Sequence, residues 1–545
     1  MVTNKHISKI IIALMAVAVI VCLLAVGFAD RISGLLGGTG VTMEYESELF
    51  DTDEVISVDI LIDEDTWEEL LENAMSEEYY ACDVVINGQT FYNVAIRPKG
   101  NTSLTSIAND PDTDRYSLKL EFDHFVEGQT CFGLDKLILN NNYADATNMK
   151  EAIIYDMYSY LGADASLYNY ASVSVNGEYW GVYMALEGVE DSFMLRNYGT
   201  QDGELYKPET MGVGAGNEEG MNHPSGDVPE MGGSEPPGNR PEMGDFEAGG
   251  ERPEMGDFES GGERPEMGDF EPGGDRPEMD GGPDGHSMGD NGGADLNYTD
   301  DDLDSYSTIW DGEVTGTGKA DHKRVVKALK NISEGTDLEK YLDVDNILKY
   351  MAVHAFAVNM DSLSGNMAHN YYLYEYDGQL NIIPWDYNLS FGGMSAGGGD
   401  ATDMVNDAID TPFSGTEFFN ALLENEEYLE RYHSYLKQLV DEYVYGGRFD
   451  EVYNRIRTLI DPLVETDPTA FYSYDEYLIA TDMLYQTVYL RAESVEGQLN
   501  GTIPSTDEGQ RQDSSSLIDA SSINVEAMGQ FDMGGGSKEN PDIRN

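Results

Sequence analysis

Cysteine and basic side chains are what this chain of 545 residues has least of. Its three cysteines, Cys22, Cys82 and Cys131, show no metal-ligand spacing, and no histidine clusters with them, so no zinc site is encoded. Nor does any Ser/His/Asp order point to hydrolysis. Against 102 Asp and Glu stand 31 Lys and Arg, a formal charge of −71. Such a surface repels phosphate backbones and excludes a nucleic-acid partner. No G-x-G-x-x-G or Walker loop occurs, so neither the dinucleotide fingerprint nor the P-loop is present.

Long hydrophobic runs are equally rare, with one exception. Residues 10–29, IIIALMAVAVIVCLLAVGFA, are apolar throughout and follow the basic lead MVTNKHISK. That length suffices to cross a hydrocarbon core of ~30 Å, and it exceeds the roughly 7–15 residues of a signal-peptide core. Lys5 and Lys9 would stay cytoplasmic, sending everything after Asp30 outward. Residues 1–30 are therefore expected to be a signal anchor or a cleaved signal peptide. The protein is then either a single-pass membrane protein with an extracellular C-terminal domain, or secreted. There, Cys82 and Cys131 either form a disulfide or remain small buried hydrophobes; two cysteines carry no spacing signature that decides it.

Residues 208–300 hold 24 acidic and 4 basic residues. RPEMGDFEAGGE, RPEMGDFESGGE and RPEMGDFEPGGD start at Arg240, Arg252 and Arg264, a period of 12, with a partial fourth copy at Arg276. One Phe and one Met per unit cannot offset an ordering cost of roughly 1–2 kcal/mol per residue, so this segment is expected to be a disordered tether. Residues 41–207 and 301–501 read as two parts of one α+β domain, and the polar, Gly-rich 502–545 as a disordered tail.

The first part is strand-rich. VISVDILID reads as a strand, and DTWEELLENAM as a helix capped by Asp65 or Thr66. Hairpins turn at Asn87-Gly88 and Asn176-Gly177, and YSLKLEF is a strand with Lys119 facing opposite to Leu118 and Leu120. A helix runs from Asp145 to Gly162. The second part is helix-rich, apart from a hairpin of NYYLYEY and QLNIIPW turned at Asp377-Gly378.

Two carboxylates flank that hairpin. Asp361 precedes Asn366 by five residues, and Asp386 lies in WDYNLSFGG. Phosphoryl transfer needs such parts: a carboxylate to orient the attacking hydroxyl, with an Asn and a second Asp to hold Mg²⁺. Mg²⁺ takes hard oxygens, usually one or two carboxylates plus phosphate and water. By itself, Asp361 has a rival reading as the cap of a loop turn, and Lys119 one as a solvated face residue.

Several segments in one order resemble the spore-coat protein H (CotH) kinase family. AIRPKGNTS at 95–103 resembles its R-x-R-G-N-x-S segment with Lys99 in place of the second Arg, and YSLKLEF its following basic strand. NGEYWGVYMALE, GELYKPE, HNYYLY and IIPWDYNLSFG match the rest, with Asn388 where a second Asp often stands. The resemblance implies a two-lobed, atypical protein-kinase-like fold that moves phosphate from ATP to Ser or Thr of surface or spore-coat proteins, using Mg²⁺ or Mn²⁺. It implies Asp361 as catalytic residue and Asp386 as metal ligand. Lys119 is the candidate phosphate-contacting Lys, with Arg97, Lys99 and Glu187 also at the nucleotide. Asn366 and Asn370 compete as a further ligand: spacing favours the first, family context the second. Two other readings stay open, a non-catalytic surface protein on the same scaffold and a nucleotidyl transferase.

Overall fold

The computed structural model describes residues 40–210, 292–365, 367–394 and 400–531. Within them the chain is mixed α and β, strand-rich towards the N-terminus and helical towards the C-terminus. Seven strands close a barrel: β1 (Ile56–Leu61), β2 (Tyr80–Ile86), β3 (Gln89–Lys99), β4 (Ser117–Glu121), β5 (Lys136–Asn140), β6 (Tyr168–Val175) and β7 (Glu178–Glu187). Their order is β1-β2-β3-β4-β5-β7-β6, and a parallel β1–β6 pairing completes the ring. Alternation explains the closure. Every second residue, such as Val58, Ile60, Val84, Val94, Ile96, Leu118, Leu120, Leu137 and Leu139, enters one apolar core. Asn87-Gly88 and Asn176-Gly177 have positive φ at both positions, the backbone a two-residue hairpin turn requires.

Helix α1 (Glu64–Glu72) is capped by Asp63, not by Asp65 or Thr66. The Asp63 carboxylate accepts from the N–H groups of those two residues at 3.1 and 3.4 Å, placing them inside the first turn. Helix α2 (Lys150–Leu161) ends at Gly162 with φ 67°. Asp145 accepts from the Lys150 N–H at 3.1 Å and thereby satisfies a first-turn donor.

A second core gathers α2 with β8 (Glu204–Tyr206), α3 (Lys319–Ser333), α4 (Val344–Ala357), β9 (Tyr371–Tyr376), β10 (Gln379–Pro384), α5 (Glu426–Gln438), α6 (Arg448–Val464) and α7 (Tyr474–Leu499). Since α2 precedes the acidic insert yet packs here, the strand-rich and helical parts do not divide at the insert. Strand β8 pairs antiparallel with β9, stitching the segment before the insert to the hairpin after it. Asp377 and Gly378, both with positive φ, turn β9 into β10.

The expected boundaries need two corrections. The repeats of 211–291 lie outside the described residues, but 292–300 belong to the fold: Ala294 and Leu296 are buried, and Tyr371 donates its hydroxyl to the Ala294 carbonyl at 2.6 Å. Residues 502–531 likewise pack rather than trail. Ala520, Ile523, Val525 and Met528 are buried in the second core, Ile503 is buried as well, and the Phe531 N–H donates to the Gly393 carbonyl at 3.0 Å. Burial of a large apolar side chain contributes roughly 1.5–3 kcal/mol, so four of them outweigh the polar appearance of the segment. A protein ending at residue 501 should therefore melt well below one ending at 531, and equal melting temperatures would refute this packing.

Among the described residues no helix is long and apolar enough to cross a membrane; residues 10–29 lie outside them. Cys82 and Cys131 are both free, buried thiols, and burial pushes the Cys82 pKa up to about 12.

Candidate active site

The side chains of β3 to β5 that point away from the barrel core form a polar face. Register pairs Arg97 with Lys119 and Lys99 with Ser117, so Arg97, Lys99 and Lys119 share that face. Arg97 is ion-paired with Glu77 and lies 5.4 Å over the Tyr79 ring. Lys99 reaches away from the barrel: its ammonium donates to Asn140 Oδ1 at 3.0 Å and lies 5.6 Å from the Trp385 ring. Asn140 in turn donates to Glu151 Oε2 at 3.1 Å, linking β3 through β5 to the first turn of α2.

The two aspartates meet this face. Helix α4 ends at Val358, with φ 48°, a conformation that strains a β-branched residue by roughly 1–2 kcal/mol. The chain then turns through Asn359, whose side-chain oxygen accepts from the Asp361 N–H at 3.2 Å. His369 Nε2 bonds Asp361 Oδ1 at 2.6 Å, and the Asn370 amide donates to the Asp361 carbonyl and Oδ2 at 2.9 and 3.0 Å. Burial pulls the His369 pKa down, but the hydrogen bond and charge of Asp361 outweigh it and raise the net value. Asp386 follows β10 with φ 60°, a strained position of the kind that clusters at functional sites. No described residue hydrogen-bonds its carboxylate. Burial raises its pKa, Lys99 opposes this, Asp361 adds to it, and Lys207 and His369 oppose it again. These groups therefore face one space.

Lys207, just after β8, is the second cation there. It pairs with Glu209 at 2.6 Å and lies 5.9 Å from the Tyr372 ring. Tyr372 feels the charges of Lys207 and Glu209 together with those of Glu190 and Lys136, so the polar band is continuous. Glu190 and Lys136 also line a cavity of about 520 Å³, together with Glu121, Asp202 and Glu204 among others.

The structure thus gathers Lys99, Asp361, Asn370 and Asp386, and sets two expected residues apart. Lys119 has Lys136, Glu190, Arg97 and Glu121 as its chief electrostatic neighbours; burial first, then Lys136, pulls its pKa down to about 8. Glu187 lies on the opposite strand face, paired with Leu137, fully buried and forked by Arg196 at 2.8 and 2.5 Å. It also accepts from the Tyr45 hydroxyl at 2.6 Å. It is neither a partner of Lys119 nor an exposed strand end, because strand parity turns it into the barrel. Asn366 lies outside the described residues.

Glu151 and Asn140 were missed from sequence. Glu151 is 2% exposed with Oε1 unpaired. Burial, then the charge of Asp386, pushes its pKa up to about 8 against the pull of Asn140 and Lys99. A carboxyl raised above its unfolded value of 4.5 stabilises the fold fully below that value and loses this contribution as pH climbs to about 8. Glu151→Gln, permanently neutral, should therefore lack a destabilisation of about 1.4 kcal/mol per pH unit that the wild type shows across this window. Melts at pH 5, 6.5 and 8 measure it; parallel curves for the two proteins would contradict the assignment.

Among the described residues no group of three or more His, Cys, Asp or Glu is placed to hold a metal ion. The Asp386 carboxylate, which no described residue hydrogen-bonds, instead suits Mg²⁺ or Mn²⁺ arriving with phosphate oxygens and water as its other ligands. A search of curated proteins finds no match to the chain. The family model described as CotH kinase protein matches residues 96–495, most of the chain and every residue of this site, and the protein therefore belongs to the CotH kinase family.

Proposed function

We propose that the protein is an exported atypical protein kinase that transfers the γ-phosphate of ATP to Ser or Thr of cell-surface or spore-coat proteins, on a two-lobed kinase-like fold. The observation that carries this is the Asp386 carboxylate, which no described residue hydrogen-bonds and whose charged neighbours are Lys99, Asp361, Lys207 and His369. Export rests on the apolar segment at 10–29.

Asp361 takes the role of base. His369 and Asn370 each occupy one of its oxygens and fix the carboxylate plane, leaving lone pairs for the proton of an incoming hydroxyl. Asp386, with Asn370 Oδ1, would hold the divalent ion, which supplies charge neutralisation at the β- and γ-phosphates. Lys99 steadies phosphate. Burial lowers its pKa in the free protein, and an arriving anion raises it again. Lys207 adds a second positive charge, while Glu151 orients Lys99 through Asn140.

Incubating residues 31–545 with ATP labelled at the γ or the α phosphate tests the reaction class. Label from the γ position alone is expected in protein. Incorporation from the α position would identify a nucleotidyl transferase, and none from either a non-catalytic scaffold.

A further inference from the structure

His354 takes no part in the chemistry above, yet it lies between the segments carrying both aspartates. It stands on the last turn of α4, 2% exposed, its ring stacked with Tyr350 (5.4 Å, 17°) and with Phe413 (5.4 Å, 18°). These two stacks fix the ring plane. Both ring nitrogens are then aimed: Nδ1 lies 3.0 Å from the Tyr387 hydroxyl and Nε2 lies 2.7 Å from Ser364 Oγ. Tyr387 adjoins Asp386. Ser364 sits in the turn of Asp361, where it and Ser362 donate to the Asn359 carbonyl at 3.2 and 3.1 Å. Beyond Tyr387, at 2.6 Å, is the hydroxyl of Tyr158, two helical turns after Glu151 on α2.

The direction of these bonds follows from counting protons. Burial pushes the His354 pKa down to about 3, so the ring is neutral and carries one N–H. With the proton on Nε2, Tyr158 donates to Tyr387, Tyr387 to Nδ1, Nε2–H to Ser364 Oγ with Ser362 Oγ a second acceptor at 3.3 Å, and both serines donate to the Asn359 carbonyl. With the proton on Nδ1, the chain reverses, Ser364 or Ser362 gives up its bond to the Asn359 carbonyl in order to donate to Nε2, and the buried Tyr158 hydroxyl has no acceptor among the described residues, a penalty of roughly 1–3 kcal/mol. The first arrangement prevails.

We propose that His354 is a positioning residue, whose neutral ring ties the Asp361 turn, the Asp386–Tyr387 segment and the Glu151 helix into one hydrogen-bonded relay and so fixes the spacing of the two carboxylates. This rests on the kinase function proposed above. It acts through Tyr387 and Ser364 and touches neither phosphate nor metal. The relay is directional, so losing either member should disable the same unit.

The test measures phosphotransfer, the KM for metal–nucleotide, and melting temperature for His354→Leu, Tyr387→Phe, their double variant and His354→Gln. Tyr387→Phe removes a single oxygen and keeps the ring, so it serves even if His354→Leu fails to fold. A misplacement of the order of 1 Å can cost ~100-fold, so kcat is expected to fall about 10- to 100-fold for each single variant. KM should stay within about 3-fold, because the groups that bind nucleotide remain. The double variant should match the worse single one, and His354→Gln, which keeps a donor to Ser364, should recover much of the rate. Wild-type kcat in Tyr387→Phe, multiplicative losses, or a fall in melting temperature alone would overturn the relay while leaving the kinase function intact. A wild-type protein that transfers nothing to itself or to an added protein overturns the kinase function, and the relay with it.

Discussion

Asp386→Ala is expected to abolish transfer and to remove metal-dependent nucleotide binding, whereas Asp361→Asn should bind normally and transfer nothing measurable. The two variants separate because the carboxylates do different work in one space. Asp386 has no hydrogen bond to any described residue, so its charge is available to a cation; a metal worth several kcal/mol to the transition state corresponds to about 10³-fold or more in rate. Asp361 is held by His369 and Asn370, so the Asn variant keeps the shape and one of the two accepted hydrogen bonds but loses the base. Such a loss is typically about 10²–10⁴-fold. Isothermal titration with a nonhydrolysable nucleotide and Mn²⁺, set beside the labelled-phosphate assay, measures both. Parallel loss of binding in both variants would show that Asp361 is a metal ligand and not the base.

Lys99→Met should cost transfer about 100-fold or more, the scale of one charge-stabilising contact, while Lys119→Met should change it only a few-fold. The two lysines share a strand face, but Lys99 extends past Asn140 towards Trp385 and Asp386, and Lys119 stays with Glu121 and Lys136. Lys99→Arg should not rescue: the buried space between Asn140 and the Trp385 ring fits a compact ammonium, and a guanidinium fork brings a different donor geometry. Steady-state rates with all three variants decide the assignment. A large loss at Lys119 with little at Lys99 would return the phosphate to the site expected from sequence.

That reversal shows where the sequence was legible. The hairpins were readable because Asn-Gly and Asp-Gly pairs supply positive φ wherever they occur. Asp361 and Asp386 stood out because carboxylates beside buried strands demand a partner. Register is different: that Lys99 lies opposite Ser117, and Arg97 opposite Lys119, depends on pairing that no single strand encodes. Glu187 follows the same rule, since its parity with Leu137 turns it inward to Arg196. In sequence, nothing separates Glu151 from an ordinary first-turn acid. The available signal was that α2 is buried nearly all round, which leaves a charged residue on it no solvent face. The segment 502–531 hid its packing because Ile503, Ile523, Val525 and Met528 follow no helical or strand period.

The most direct measurement is a crystal structure of residues 31–545 with a nonhydrolysable ATP analogue and Mn²⁺, the ion located by its anomalous scattering. The account predicts manganese on the Asp386 carboxylate, Lys99 against a phosphate oxygen, and the Asp361 carboxylate facing the terminal phosphate. Manganese bound elsewhere, or a nucleotide that contacts Lys119 and leaves Asp386 bare, would contradict it.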